Sequence, residues 1–85
     1  MTDITMYTAQ GCSYCNAAER LLRTRGVDQL NKIRVDLEAG KLEEMMTRSG
    51  RRTVPQIFIG SLHVGGFDEL SRLDREGRLE PLLRG

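Results

Sequence analysis

Tryptophan is absent from this sequence, and there are only two cysteines, two prolines and one histidine. A four-ligand metal site of cysteine and histidine is therefore out of reach within one chain unless two carboxylates complete it. Charge of one sign is also missing: 13 basic and 12 acidic residues leave a formal net charge of +1. That balance excludes an electrostatic match of the whole chain to nucleic acid or a membrane surface. No run is long and apolar enough to span a bilayer. Met1-Thr2-Asp3 opens no basic segment followed by an apolar stretch, so no signal peptide is expected. With a single thiol pair, this gives the cytosol as the expected compartment, where disulfides are mostly transient and catalytic. No repeat, linker or low-complexity segment interrupts the chain, and 1–85 is expected to form one domain.

What is present is concentrated in Gln10-Gly11-Cys12-Ser13-Tyr14-Cys15-Asn16, which holds both cysteines. It follows the apolar run Ile4-Thr5-Met6-Tyr7-Thr8 and opens a segment in which Cys15, Ala18 and Leu22 recur at helical spacing. A thiol pair where a strand feeds a helix reads as a redox motif. Ser13 is the expected cap of that helix, with Cys12 just before it or in its first turn. First-turn amides lack intrahelical partners, and the macrodipole favours an anion there. An ordinary thiol has a pKa of about 8.5. The dipole, worth roughly 0.3–2 kcal/mol, lowers that by at most about 1.5 units. Hydrogen bonds from the Tyr14 and Cys15 amides must supply any further depression. Cys15, on the buried side, should titrate higher, so one cysteine attacks and the other resolves. The competing readings are half a zinc site and an inert structural disulfide. The first lacks ligands beyond His63, and the second closes too small a loop to constrain the unfolded chain much.

Taken in order, residues 3–8 read as a strand and 13–25 as a helix stopped by Gly26. Gln29–Asp36 holds a second strand, with Ile33 and Val35 on one side. A second helix spans roughly Gly40–Ser49, with Leu42, Met45 and Met46 inward and Gly50 ending it. Gln56–Ile59 is a third strand. Gly60-Ser61 fits a two-residue turn with glycine first, and Leu62–Val64 returns antiparallel. Gly65-Gly66 leads into a third helix with Phe67, Leu70 and Leu73 on one face, stopped by Gly77. Leu79-Glu80-Pro81-Leu82-Leu83 is expected as a short terminal turn. The order β-α-β-α-β-β-α, with a parallel crossover first and a hairpin later, predicts an α/β chain. It is a four-stranded mixed sheet flanked by helices, the minimum layout of a thioredoxin-like fold.

Two further stretches carry chemistry. In Arg51-Arg52-Thr53-Val54-Pro55 a proline heads a strand whose ladder bond it cannot donate. By frequency alone that bond is trans. In Gly65-Gly66-Phe67-Asp68-Glu69-Leu70, paired glycines let a ligand approach the backbone, and the free amides of a helix start favour an anion. His63, in the hairpin's return strand, reads as a surface or edge residue, with nothing to place it beside Cys12.

With Tyr7-Thr8, Cys12-Ser13-Tyr14-Cys15, Thr53–Gly60 and Gly65–Leu70 in these positions, the chain resembles a dithiol glutaredoxin from end to end. That resemblance implies a glutathione-dependent thiol–disulfide oxidoreductase acting on protein disulfides and glutathione mixed disulfides. Cys12 would be the nucleophile and Cys15 the resolving thiol. Pro55 would be cis, and the Val54 backbone would pair with the cysteinyl part of glutathione. The Phe67 and Asp68 amides after Gly66 would hold the γ-glutamyl carboxylate, and the Asp68 side chain its ammonium. Tyr14 and Thr53 would line the groove. Partners implied are glutathione and disulfide-bearing or glutathionylated proteins, with the chain a monomer.

The sequence departs from the family pattern twice. Ala9 stands where many members have a lysine that helps bind the glycine carboxylate, a task Arg51 or, as assigned here, Arg52 would take over. Ser13 stands where dithiol members usually have proline. Cys-Ser-Tyr-Cys is similar to a subset in which the nucleophile also ligates a [2Fe-2S] cluster, shared by two chains and two glutathiones. In that alternative Cys12 is a metal ligand and the chain dimerises. A thioredoxin-like donor reduced by a flavoprotein is disfavoured by the Gly-Gly-x-Asp end.

Overall fold

The computed structural model describes residues 3–85. Met1 and Thr2, on which the expectation of no signal peptide partly falls, lie outside the described residues. The elements run β1 (Ile4–Thr8), α1 (Ser13–Thr24), β2 (Leu30–Arg34), α2 (Lys41–Ser49), β3 (Gln56–Ile59), β4 (Leu62–Gly65), α3 (Phe67–Arg75) and α4 (Leu79–Arg84). The strands form one sheet in the order β2-β1-β3-β4. β1 and β2 are parallel, and the other pairs are antiparallel. This is the thioredoxin-like arrangement expected from the element order.

Strand alternation explains why helices cover both faces. Ile4 and Met6 of β1 and Ile57 and Ile59 of β3 point one way, into a core closed by Ala18 and Leu22 of α1, Leu70 of α3 and Leu79 of α4. Tyr7 and Phe58 point the other way and meet Met45 of α2, with Ile33, Val35, Met46 and Val54 packed around them. Each fully buried Leu, Ile or Met side chain of the first core contributes about 1.5–3 kcal/mol over its exposed state. The fold therefore rests mainly on that aliphatic face.

Several boundaries shift. β2 stops at Arg34, although the Val35 amide still donates to the Thr8 carbonyl at 2.9 Å. Leu42, expected inward, is 40% exposed. The reason is the buried Tyr7 hydroxyl, which needs a partner and finds the Glu44 carboxylate and the Arg48 guanidinium. Those contacts turn the Lys41–Glu44–Arg48 side of α2 toward the sheet and Leu42 away. The tail is a helix rather than a turn. Pro81 is tolerated because it falls in the first turn, where its missing N–H has no intrahelical acceptor. Gly60 takes a positive φ of 61° and Ser61 does not, as the predicted hairpin turn requires.

Candidate active site

Cys12 is itself the N-cap of α1, with extended backbone (φ −92°, ψ 105°). Its Sγ accepts the Cys15 amide at 3.1 Å. Ser13, expected as the cap, is instead the first helical residue and exposed. The chain enters the helix one residue earlier than a serine cap would place it, and sulfur takes the role usually given to a hydroxyl. Of the two amides expected to serve the sulfur, that of Cys15 does so. Cys12 and Cys15 are joined as a disulfide, with Cα atoms 5.2 Å apart. Cys15 is only 1% exposed, whereas Cys12 is half-buried and reaches the surface. No acidic residue lies in the first turn of α1.

The loop before Cys12 is pinned from β2. The Gln10 amide donates to Asp36 Oδ2 at 3.3 Å, and Arg34 grips the same carboxylate at 2.8 and 2.6 Å. Arg34 beside it drives the Asp36 carboxyl far below the usual range, with the Gln10 amide adding to the effect. This anchor was not read from the sequence. Its one available signal is the alternation of Arg34 and Asp36 at the end of a strand parallel to β1.

Across from the thiols, the Val54–Pro55 bond is cis, against the frequency argument and as the resemblance implies. The Val54 carbonyl oxygen lies 3.8 Å from Cys12 Sγ. Next to it begins α3, capped at Gly66. Glu69 reaches back so that its Oε1 accepts the Gly66 amide at 2.6 Å and Arg51 Nη1 at 3.3 Å. The Gly66 amide, aided by Arg51 and opposed by partial burial, holds the Glu69 carboxyl below its ordinary value. Gly65 is favoured by its φ of +117°, and a Cβ there would stand 2.6 Å from Glu69 Oε1, so that the Glu69 carboxylate would have to shift.

These elements enclose a groove of about 260 Å³. Tyr14, Thr53, Val54, Pro55, Gly66, Phe67 and Asp68 all line it. Tyr14 is 63% exposed and stands tilted against Phe67, ring centroids 6.2 Å apart. Arg52 is exposed and is not part of the lining, whereas Arg51 is. Gln56 and Glu69 also line the groove and were missed. Gln56 has a sequence signal, as the polar residue at the head of Ile57-Phe58-Ile59. It is fully buried and bonds His63, which is half-buried on the edge strand β4.

A thioredoxin-like sheet with a Cys-x-x-Cys disulfide at a helix N-cap beside a cis proline defines a thiol–disulfide oxidoreductase. Comparison with known proteins narrows the class. The glutaredoxin family model matches residues 4–64. A glutaredoxin of Neisseria meningitidis is 52% identical over 83 residues, covering 98% of each chain. Glutaredoxin 3 of Escherichia coli is 48% identical over 84 residues, covering 99% of this chain and all (100%) of that one. Among solved structures, the glutaredoxin of Brucella melitensis superposes with a TM-score of 0.84 at 48% identity, covering 98% of this chain and 89% of that one. A buckwheat glutaredoxin–glutathione complex gives 0.88 at 30% identity, covering 98% and 77%. The chain belongs to the glutaredoxin family.

Proposed function

We propose that this oxidoreductase uses glutathione as its reductant and acts on protein disulfides and on glutathione mixed disulfides. The observation that carries the reading is the placing of Cys12 Sγ just outside the groove lining, 3.8 Å from the carbonyl of Val54, which lines the groove together with the start of α3. A short peptide with a thiol in its middle and charges at its ends fits such a site by backbone pairing and terminal-charge capture. In this reading the Val54 backbone pairs with the cysteinyl unit. The Phe67 and Asp68 amides take the γ-glutamyl carboxylate and the Asp68 side chain takes its ammonium, while Tyr14, Thr53, Pro55 and Gly66 shape the walls. The Arg51-Arg52 pair serves the glycine carboxylate, with Arg51 already in the lining. The buckwheat relative in complex with glutathione supports the same ligand.

On a mixed disulfide, the Cys12 thiolate attacks the glutathione sulfur. A Cys12–glutathione disulfide forms and the protein thiolate leaves, taking up a proton. A glutathione thiolate then attacks that disulfide, releasing oxidised glutathione and regenerating Cys12. On a protein disulfide, Cys12 first forms a mixed disulfide with the protein. Cys15 displaces the protein thiol and closes the Cys12–Cys15 bond, which two glutathiones reopen. The [2Fe-2S] alternative takes only Cys12 from each chain and its other thiolates from outside, so nothing in this chain's own donor set favours it.

The test is turnover of a glutathionylated peptide and of a protein disulfide, each coupled to glutathione. Cys15→Ser should keep the first activity and lose most of the second. Cys12→Ser should lose both, by at least about 10³-fold, as for removal of a covalent nucleophile. Full activity of the Cys12 variant, or wild-type turnover with a flavoprotein reductase and none with glutathione, would overturn the assignment.

A further inference from the structure

Gln56 is the first residue of β3, directly after Pro55, and its side chain is fully buried. Its Nε2 donates to the Thr53 carbonyl at 3.0 Å and to Thr53 Oγ1 at 3.3 Å. The amide thus closes the Thr53–Gln56 corner, the segment that forms one wall of the groove. At its other end, Oε1 lies 2.8 Å from His63 Nε2. A backbone carbonyl only accepts, so the Thr53 side of the amide must be its NH₂ and the His63 side its oxygen. His63 Nε2 must then carry the hydrogen.

The imidazole is itself held in place. His63 pairs with Phe58 across β3 and β4 and packs on its ring at 4.9 Å, and Arg48 lies 4.0 Å over the same ring. Burial, with Arg51 and Arg48 nearby and Glu69 opposing them, holds the imidazole's pKa below its ordinary value. Nε2 donates in the neutral Nε2–H tautomer and in the protonated ring alike, so the bond to Gln56 survives either state.

We propose that His63 is a positioning residue for the glutathione groove: through Gln56 it fixes Thr53 and, with it, the wall that carries the Val54 backbone. The inference rests on the reading of that groove as the glutathione site. His63 is not in the groove lining, and its side-chain hydrogen bond is to Gln56. Its loss leaves Gln56 Oε1 buried without a donor, and the amide turns away from Thr53 to find one. The Cys12 cap comes from the Cys15 amide on another element, so binding should suffer and the chemical step should not.

The experiment compares His63→Phe, which keeps a packed ring without a donor, with His63→Gln, which restores an amide donor. The full chain is assayed with a glutathionylated peptide and glutathione. His63→Phe should raise KM for the peptide about tenfold with kcat nearly unchanged, the size of one hydrogen bond to a buried acceptor. His63→Gln should recover most of that loss. Gln56→Leu should match His63→Phe, and the double variant should be no worse than either, since both break one chain of contacts. Unchanged KM in His63→Phe, or kcat and Tm falling together without rescue by glutamine, overturns the proposal. Should the wild-type protein fail to turn over with glutathione, it is the groove reading that fails. The positioning role is then judged by nuclear magnetic resonance of the Gln56 carboxamide protons. Protection lost in His63→Phe and regained in His63→Gln supports it, and protection unchanged in His63→Phe refutes it.

Discussion

Helices α1 and α3 both begin at the groove, yet their first turns are finished in opposite ways. At α1 the cap is the Cys12 sulfur, and no acidic side chain follows it. At α3 the first turn carries Asp68 and Glu69, and the Glu69 carboxylate already accepts the cap amide of Gly66. Both helix starts offer unpaired amides and a positive dipole end. What differs is the anion each is prepared for. At α1 the one negative charge to be stabilised is a thiolate made in place when a disulfide opens. At α3 one amide is satisfied from within, and Asp68 adds a negative charge at the rim. That end suits a ligand that brings a carboxylate and an ammonium together, as the γ-glutamyl end of glutathione does.

The largest separation of the two ends should come from Asp68→Asn. If Asp68 holds the ligand's ammonium as proposed, removing the charge while keeping the shape loses a charge-assisted contact of about 1.5–3 kcal/mol, or roughly 10- to 150-fold in KM for glutathione. The thiolate titration of Cys12 should stay where it is. Steady-state kinetics and ultraviolet thiolate absorbance on the same variant check both halves. A variant in which KM holds and the titration moves would mean that Asp68 serves the thiol end instead.

Acid distinguishes the ends by a smaller effect. The Glu69 pKa is lowered in the folded chain, first by the Gly66 amide. A carboxylate so depressed stabilises the fold above its unfolded value of about 4.3, and that contribution is lost as pH falls below it. The Gly66 amide resonance should therefore follow a titration centred below the ordinary carboxylate value, and Glu69→Gln should flatten it. The Cys15 amide, whose acceptor is sulfur, should show no step in that window. Equal steps at both amides would erase the contrast.

How much of this was legible depends on whether the controlling interaction is local. The strand–helix order, the glycine stops and the two Cys residues follow from short-range periodicity, and the fold followed from them. Of the site, the groove residues from Tyr14 to Asp68 were named through motif resemblance, and the structure brings all of them except Arg52 into one lining. The misses share a cause. Gln56 with His63, Tyr7 with Glu44 and Arg48, and the Gln10 anchor on Asp36 are polar contacts between distant segments, separated by 7 to 41 positions. No period in the sequence encodes them. Leu42 was misplaced for the same reason, because a buried hydroxyl on β1 set the rotation of α2. Ser13 was a local miss: sulfur took the capping role that composition statistics assign to oxygen.

The smallest effect, and the one that acts on α1 alone, concerns the position where Ala9 replaces the lysine common in the family. Ala9 follows β1 and is half-buried, three residues before the Cys12 cap. Arg34 reaches the Gln10 side chain at 3.4 Å, but its guanidinium is committed to Asp36, so that pair brings little net charge toward the thiol. The thiolate at α1 is then served by the dipole and the Cys15 amide without a free cation in the loop before it. Ala9→Lys adds one. Acting across a partly solvated loop, it should lower the thiolate midpoint by a few tenths of a pH unit, comparable to the dipole's own surface effect of about 0.3–1 kcal/mol. The shift should shrink when salt is raised from about 0.01 to 1 M, because the screening length falls from roughly 30 to 3 Å. It should leave KM for the γ-glutamyl end unchanged. Absence of any downward shift at low salt would mean that cap and dipole already set the thiol's acidity, and that the missing lysine matters only for binding.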